Sequence, residues 1–349
     1  MSADVEIRYI IFGAGAVGGT IGGLMVRAGL RVVFVARPAF AEALRSEVRI
    51  RQEDEEISFR GEAVTSASEL RPEKGDVVLI TAKSQATVEI VEDLFSVYGS
   101  SVPVVCLQNG VRNETIAAAR FENVYAGLVF LSAVQLAPDL ITLPQGRALA
   151  FGCYPDGVDD TARRIAVEMT AAGLDAMASA YVMAMKWGKL ITNLNNATHA
   201  ITGYWLERGM AEPEMRKLML EVREEGLRVL DAAGIAVEPP ENEPSPIRVL
   251  KMTEALRRPP KPGLDSDQAH RTYASMWQDL YLGRKSLEAD FLNGEIIALG
   301  KKVGIATPYN SGLLEIAGRM MAEGLKPGIY TPSHLHEVLA ERARNATQR

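Results

Sequence analysis

The chain has 349 residues, a length that suggests about two domains. With 47% hydrophobic and 23% charged residues and 30 glycines, its composition is that of an ordinary globular protein and excludes disorder, coiled coil and collagen. The 38 Lys+Arg against 44 Asp+Glu leave a net charge of −6, the wrong sign for a chain that attracts nucleic acid or an anionic membrane, so any anionic ligand must be met by local cations.

Residues 1–7 carry Asp4 and Glu6 and lack the basic start and long apolar run of a secretory signal. No apolar stretch reaches the roughly 20 residues that span a bilayer, and a cytoplasmic location is expected. Residues 5–12 (VEIRYIIF) read as a strand ending at Gly13, and GAGAVGGTIGGLMVRAG as a glycine turn opening a helix that closes at Gly29. RVVFVAR supplies a second strand. The alternation continues with strands at 76–81, 102–107 and 124–130 and helices from about Thr87 and Glu114. Residues 127–152 read as further strands and turns, 161–172 as a helix and 174–178 as a last short strand. Strands alternating with helices predict a mostly parallel sheet covered on both faces. From about Ala180 the pattern becomes helical, at 181–206, 212–233, 269–282, 286–303 and 310–323, with another helix start at Thr331-Pro332. Two domains are therefore expected, 1–179 and 180–349. Seven of the 17 prolines fall in 238–262, which reads as an irregular connection. Two cysteines, Cys106 and Cys153, and four scattered histidines give no metal cluster and require no disulfide framework.

The most informative motif is Gly13-Ala14-Gly15-Ala16-Val17-Gly18, a G-x-G-x-x-G placed directly after a strand and before a helix. Gly13 permits the tight turn, Gly15 lets backbone approach a pyrophosphate, and Gly18 lets the helix pack on the strand, while the helix N-terminus offers N–H groups to phosphate. The competing account is a glycine turn in an α/β domain that holds no nucleotide. Where an NAD enzyme usually carries an acid for the ribose, the second strand ends in Arg37, and a cation there suits a 2′-phosphate. The expected cofactor is NADPH, unless Arg37 is an ordinary loop arginine. Lys83 and Asn109 follow the next two parallel strands, where open sheets place their ligands, and should converge with the glycine turn on one sheet edge. Taken alone, Asn109-Gly110 is also a common turn and Lys83 an ordinary exposed lysine.

In the helical half, Lys189 and Asn193 are four apart in KWGKLITNLNNA and project from one helix face. A lysine facing an active cleft can protonate an alkoxide; otherwise the two are a surface polar pair. Ser275 and Glu288 fall on opposite sides of one straight helix unless Gly283 breaks it.

Together, GAGAVGG, Arg37, TAKSQ, LQNG, KWGKLITN, SMWQDL and EADFLNGEI resemble the ketopantoate reductase (2-dehydropantoate 2-reductase) family through nearly the whole chain. The resemblance implies an α/β Rossmann-type NADP-binding domain followed by an all-α substrate and catalytic domain, with the active site in the cleft between them. It makes Gly13, Gly15, Gly18, Arg37 and Lys83 cofactor contacts, and Asn109 a group serving both cofactor and substrate. It makes Lys189 the general acid, and Asn193, Ser275 and Glu288 substrate ligands. The family pattern has a second asparagine where this chain has Ala197, with Asn196 adjacent. The activity implied is NADPH-dependent reduction of 2-dehydropantoate to pantoate, on the route to pantothenate and coenzyme A. Metal is not required: hydride transfer to a 2-oxo carbon builds negative charge on oxygen, which an ammonium both stabilises and protonates. A related reductase of another 2-oxo acid or an opine-like substrate is the alternative, and an NADPH sensor without turnover a third. The partner expected is a small 2-oxo acid; oligomeric state is left open, with a homodimer as one option.

Overall fold

The computed structural model describes residues 5–52, 55–260, 271–284 and 288–347. The chain forms two compact units, Met1–Lys186 and Trp187–Arg349. The division falls inside a helix spanning Val182–Asn193, just beyond the boundary expected at 179/180.

In the first unit the strands are, in chain order, β1 (Arg8–Phe12), β2 (Arg31–Val35), β3 (Val48–Gln52), β4 (Glu55–Phe59) and β5 (Glu62–Val64). They continue with β6 (Asp76–Ile80), β7 (Val104–Cys106), β8 (Val124–Ala137), β9 (Leu140–Cys153) and β10 (Asp175–Ala178). Among the described residues they make one sheet in the order β4-β3-β9-β8-β7-β6-β1-β2-β5, with β10 added beside β9. The centre is parallel: Phe12 lies opposite both Val35 and Ile80, and Ile80 opposite Cys106. The chain leaves β1 toward β2 and later returns to β6 on the other side of β1. This reversal of strand order opens a crevice at the carboxyl ends of β1 and β6.

Aliphatic runs such as YIIF, VVFV and DVVLI favour strands, and their alternation sends successive residues to opposite faces. Tyr9, Ile11, Val77 and Leu79 pack on one face with Ile21, Met25, Ile165 and Met169, from α1 (Ala16–Arg27) and a helix at Asp160–Ala171. Ile10, Val78, Ile80 and Val104 pack on the other with Ile90, Val91, Leu94 and Ala117. Both faces are buried, as near-continuous hydrophobic strands require. Helix α1, AVGGTIGGLMVR, is glycine-rich and has poor intrinsic helix propensity. Tertiary packing sustains it: a Cβ on Gly22 or Gly23 would overlap the rings of Phe34 and Phe59.

Residues 38–64, which carry no expectation from sequence, form α2 (Pro38–Ser46) and strands β3 to β5. Val48 and Ile50 point inward in β3, but Arg49 and Arg51 face outward to pair with Glu56, and this density of charge hides the alternation. The remaining helices of this unit are α3 (Thr87–Tyr98), α4 (Asn113–Ala118) and α5 (Asp160–Ala171).

The helix at the division is α6 (Val182–Asn193); in the second unit follow α7 (Asn196–Thr202), α8 (Leu206–Ala211), α9 (Pro213–Ala232) and α10 (Val249–Glu254). Then come α11 (Ser275–Tyr281), α12 (Asn293–Val303), α13 (Pro308–Ala322) and α14 (Pro332–Thr347), with no strand among the described residues. The continuous helix expected over 181–206 is instead two, α6 and α7, with α8 beginning only at Leu206. At the junction of α6 and α7 a buried amide satisfies a main-chain carbonyl, Asn293 Nδ2 donating to Leu194, while Asn195 Nδ2 ties the junction to α9 through the Met219 carbonyl. Gly203, at φ +74°, ends α7. The helix expected over 269–282 begins at Ser275; residues 269–270 lie outside the described residues, as do 286–287 of the helix expected over 286–303. The described part of that second helix is a 3₁₀ turn at Glu288–Phe291 followed by α12. The proline-rich connection contains the short helix α10, and its last two residues, 261 and 262, lie outside the described residues. No described helix is long and apolar enough to cross a membrane.

Candidate active site

At the crevice, the chain leaves β1 through Gly13, whose φ of +103° is a conformation open to glycine but strained for other residues. A Cβ there would stand 2.6 Å from the Ala82 nitrogen, so the turn and the end of β6 fit only without a side chain. Thr81 Oγ1 donates to the Gly13 carbonyl at 2.8 Å and would be overlapped by a Cβ on Gly18, so one threonine fixes both ends of the glycine turn. Gly15 differs. It precedes α1 with no side-chain cap, and a Cβ on it would meet only Gln135 Oε1 at 3.9 Å. Open space in front of uncapped helix N–H groups fits a pyrophosphate.

Arg37 stands exposed two residues past β2, at the start of α2, with its guanidinium carbon 5.1 Å from the centre of the Phe40 ring. Half-buried Lys83 and Asn109 each stand three residues past their strands, β6 and β7. The parallel register therefore brings Gly13, Arg37, Lys83 and Asn109 off one sheet edge.

Four residues that sequence reasoning missed knit the last two loops together. Ser84 Oγ donates to the Asn109 carbonyl at 3.0 Å, and Asn113 Nδ2 donates to the same carbonyl at 2.9 Å. Thr87 Oγ1 donates to Asn113 Oδ1 at 2.8 Å, and Gln108 Nε2 donates to both the Ala82 carbonyl and Thr87 Oγ1 at 2.9 Å. All four side chains are buried, and their hydrogen bonds tie the loop after β6 to the loop after β7. Ser84 and Gln108 lie in the polar runs TAKSQ and LQNG, which read as turns until the two loops meet, whereas Thr87 and Asn113 open the helices that follow and carry no such signal.

In the second unit, Lys189 and Asn193 lie on one face of α6, both partly buried, and Asn193 is the last residue of that helix. Asn196, the first residue of α7, donates through Nδ2 to Ser275 Oγ at 3.3 Å. The side chain that meets Ser275 is therefore the asparagine next to the departing position, while Ala197 is wholly buried. Helix α11 stops at Tyr281, Gly283 has φ +65°, and Arg284 turns back to Asp279 through Nη1 at 2.7 Å. Ser275 and Glu288 are thus on separate elements, and Glu288, 8% exposed, opens the 3₁₀ turn before α12. An open groove between α9 and α10, lined by Glu224, Arg228, Leu250, Lys251, Thr253 and Arg257, contains none of these residues. Among the described residues no three His, Cys, Asp or Glu groups gather as metal ligands.

A doubly wound sheet, parallel at its centre, with this glycine turn at its reversal point defines a dinucleotide-binding α/β protein. Residues 9–156 match the family model for ketopantoate reductase PanE/ApbA, and 181–321 the model for the C-terminal region of the same family. The chain belongs to the ketopantoate reductase family. It is 27% identical over 325 residues to a 2-dehydropantoate 2-reductase of Pyrococcus abyssi, covering 92% of this chain and 100% of that one. A PanE/ApbA family ketopantoate reductase from Ralstonia eutropha JMP134 has a TM-score of 0.77 at 27% identity, covering 91% of this chain and 99% of its own. D-mandelate dehydrogenase in complex with NADH and anilino(oxo)acetate shares the fold, with a TM-score of 0.77 at 23% identity, covering 90% and 99%. The protein is accordingly an oxidoreductase of a 2-oxo acid that uses a nicotinamide cofactor, NADPH in this family.

Proposed function

We propose that the protein reduces 2-dehydropantoate to pantoate with NADPH, Lys189 acting as general acid. The observation that carries the cofactor half is the convergence of Gly13, Arg37, Lys83 and Asn109 at the carboxyl ends of β1, β2, β6 and β7. Gly13, Gly15 and Gly18 would admit the pyrophosphate, Arg37 would pair with the 2′-phosphate, and Lys83 and Asn109 would hold the nicotinamide half. The nicotinamide, when bound, supplies the hydride. Lys189 would lend its ammonium to the substrate oxygen as charge develops and pass a proton to it, converting the ketone to a secondary alcohol. Asn193 and Ser275 would orient the acid, and Glu288 would accept a hydrogen bond from its hydroxyl. The bond between Asn196 and Ser275 supports Asn196 as the group that replaces the missing amide at Ala197.

A second reading, reduction of a different 2-oxo acid, rests on Ala197. Loss of one hydrogen bond would cost about 0.5–1.5 kcal/mol, a loss an otherwise intact site tolerates. A panel of 2-oxo acids assayed by NADPH absorbance separates the two readings. kcat/KM for 2-dehydropantoate should exceed that for pyruvate or 2-oxoisovalerate, which lack the hydroxyl; a preference for either of those acids rejects the ketopantoate reading.

A further inference from the structure

The end of β7 poses a hydrogen-bonding problem. Its ladder with β8 stops at Cys106 opposite Ala126, and the next residue, Leu107, bonds instead to the Ile80 carbonyl of β6. Where the strands part, the carbonyls of Cys106, Gln108 and Gly127 face one buried point, and buried carbonyls need donors. Lys186 fills it. Its Nζ stands 3.2 Å from the Cys106 oxygen, 3.0 Å from that of Gln108 and 3.2 Å from that of Gly127, and pairs with the carboxylate of Glu114. Both side chains are almost wholly removed from solvent, at 2% and 0% exposure. Burial raises the Glu114 carboxyl above its ordinary range, and the neighbouring ammonium opposes that rise.

The position of this ammonium in the chain is its significance. Gln108 immediately precedes Asn109, and Glu114 lies in the first turn of α4, just after the same loop. One charge therefore grips the Asn109 loop on both sides, while the Ser84 and Asn113 side chains hold the Asn109 carbonyl between. A buried lysine that only satisfied the core would not need to bracket a ligand-facing residue.

We propose that Lys186, with Glu114, is a positioning residue for Asn109, fixing the loop so that the Asn109 carboxamide is set toward cofactor and substrate. The proposal rests on the role given to Asn109 above. The test is a double-mutant cycle in the full chain. Removing both charges, as K186M/E114L, avoids stranding either one in the interior. The double variant is compared with wild type in the presence of Asn109 and in an N109A background. NADPH Kd is read by fluorescence titration, and kcat and KM for the 2-oxo acid by absorbance. K186M/E114L should weaken NADPH binding or raise KM about tenfold when Asn109 is present, and by less than about twofold when it is absent, since what it disturbs is already gone. Should the double variant fail to fold, E114Q, which leaves Lys186 on its three carbonyls, runs through the same cycle with a smaller effect of the same pattern. Equal fold-changes in both backgrounds, in Kd and in KM, overturn the proposal and make the pair purely structural. A coupled effect on NADPH Kd in a protein that does not reduce 2-dehydropantoate would sink the proposed function and leave Lys186 in its role.

Discussion

At the scale of single residues, charge placed locally matters more than charge overall. The chain is net negative at −6, yet Arg37 and Lys83 both emerge at the sheet edge where a phosphate-bearing ligand would lie. Arg37 immediately precedes α2, with its guanidinium over the Phe40 ring. A charge-assisted contact to a 2′-phosphate contributes roughly 1.5–3 kcal/mol. Arg37→Ala should therefore weaken NADPH by about 10- to 150-fold and leave NADH nearly unchanged, measured as Kd for each cofactor. Equal losses would return Arg37 to an ordinary loop residue. Lys189 is tested differently, because proton transfer by a positioned group is worth about 10²- to 10⁴-fold in rate. Lys189→Ala should cut kcat by that range while NADPH Kd holds; wild-type kcat in the variant would remove the lysine from the chemistry.

At the scale of elements, buried polar side chains decide where helices begin and end. Helix α13 starts at Pro308, and its first amides meet Glu225 of α9: the carboxylate accepts from Tyr309 N at 3.0 Å and from Asn310 N and Nδ2 at 2.8 Å. Burial pushes this carboxyl above its ordinary range and the three donors pull it back. Glu225→Ala would leave buried donors without an acceptor, and urea unfolding should show a loss of about 2–4 kcal/mol; a loss under about 0.5 kcal/mol would mean that water replaces the carboxylate. Devices of this kind were only partly legible in sequence. The glycine turn, the parallel strands and the Pro332 helix start were local patterns of spacing, and they could be read. The carbonyl freed at the break between α6 and α7 is met by Asn293, about a hundred residues downstream, and buried Lys186 is met by Glu114 and by three carbonyls from the end of β7 and from β8. In sequence, Lys186 in AMKW is an ordinary helix lysine. The meeting of Asn196 with Ser275 was invisible for the same reason, since the helical period places residues within an element but says nothing of which element lies opposite.

At the scale of the whole molecule, stability should vary with pH through groups the fold holds in unfavourable protonation states, and His199 is the sharpest. It is 2% exposed, and its Nδ1 lies 3.0 Å from the Tyr204 carbonyl, so that nitrogen carries the proton of a neutral ring. Burial, with a smaller contribution from Arg223, depresses its pKa from 6.5 to about 4. The unfolded chain takes up a proton at this histidine as pH falls through 6.5, whereas the folded chain does not until about 4. Folding then opposes proton uptake: the contribution to stability is complete above pH 6.5 and is lost progressively as pH falls toward 4, by about 3 kcal/mol in total. Glu114 and Glu225 act in the opposite sense, because a carboxyl whose folded pKa is raised loses stability as pH rises above its ordinary value of 4.5. The raw stability curve mixes these trends, so the informative quantity is a difference. His199→Gln keeps a donor for the Tyr204 carbonyl and removes the titration. Urea unfolding of both proteins from pH 7.5 down to 5 should give curves whose separation changes with pH, wild type losing about 2 kcal/mol more than the variant over that range. A separation independent of pH would mean that the buried histidine is reached by protons in the folded state as readily as in the unfolded one.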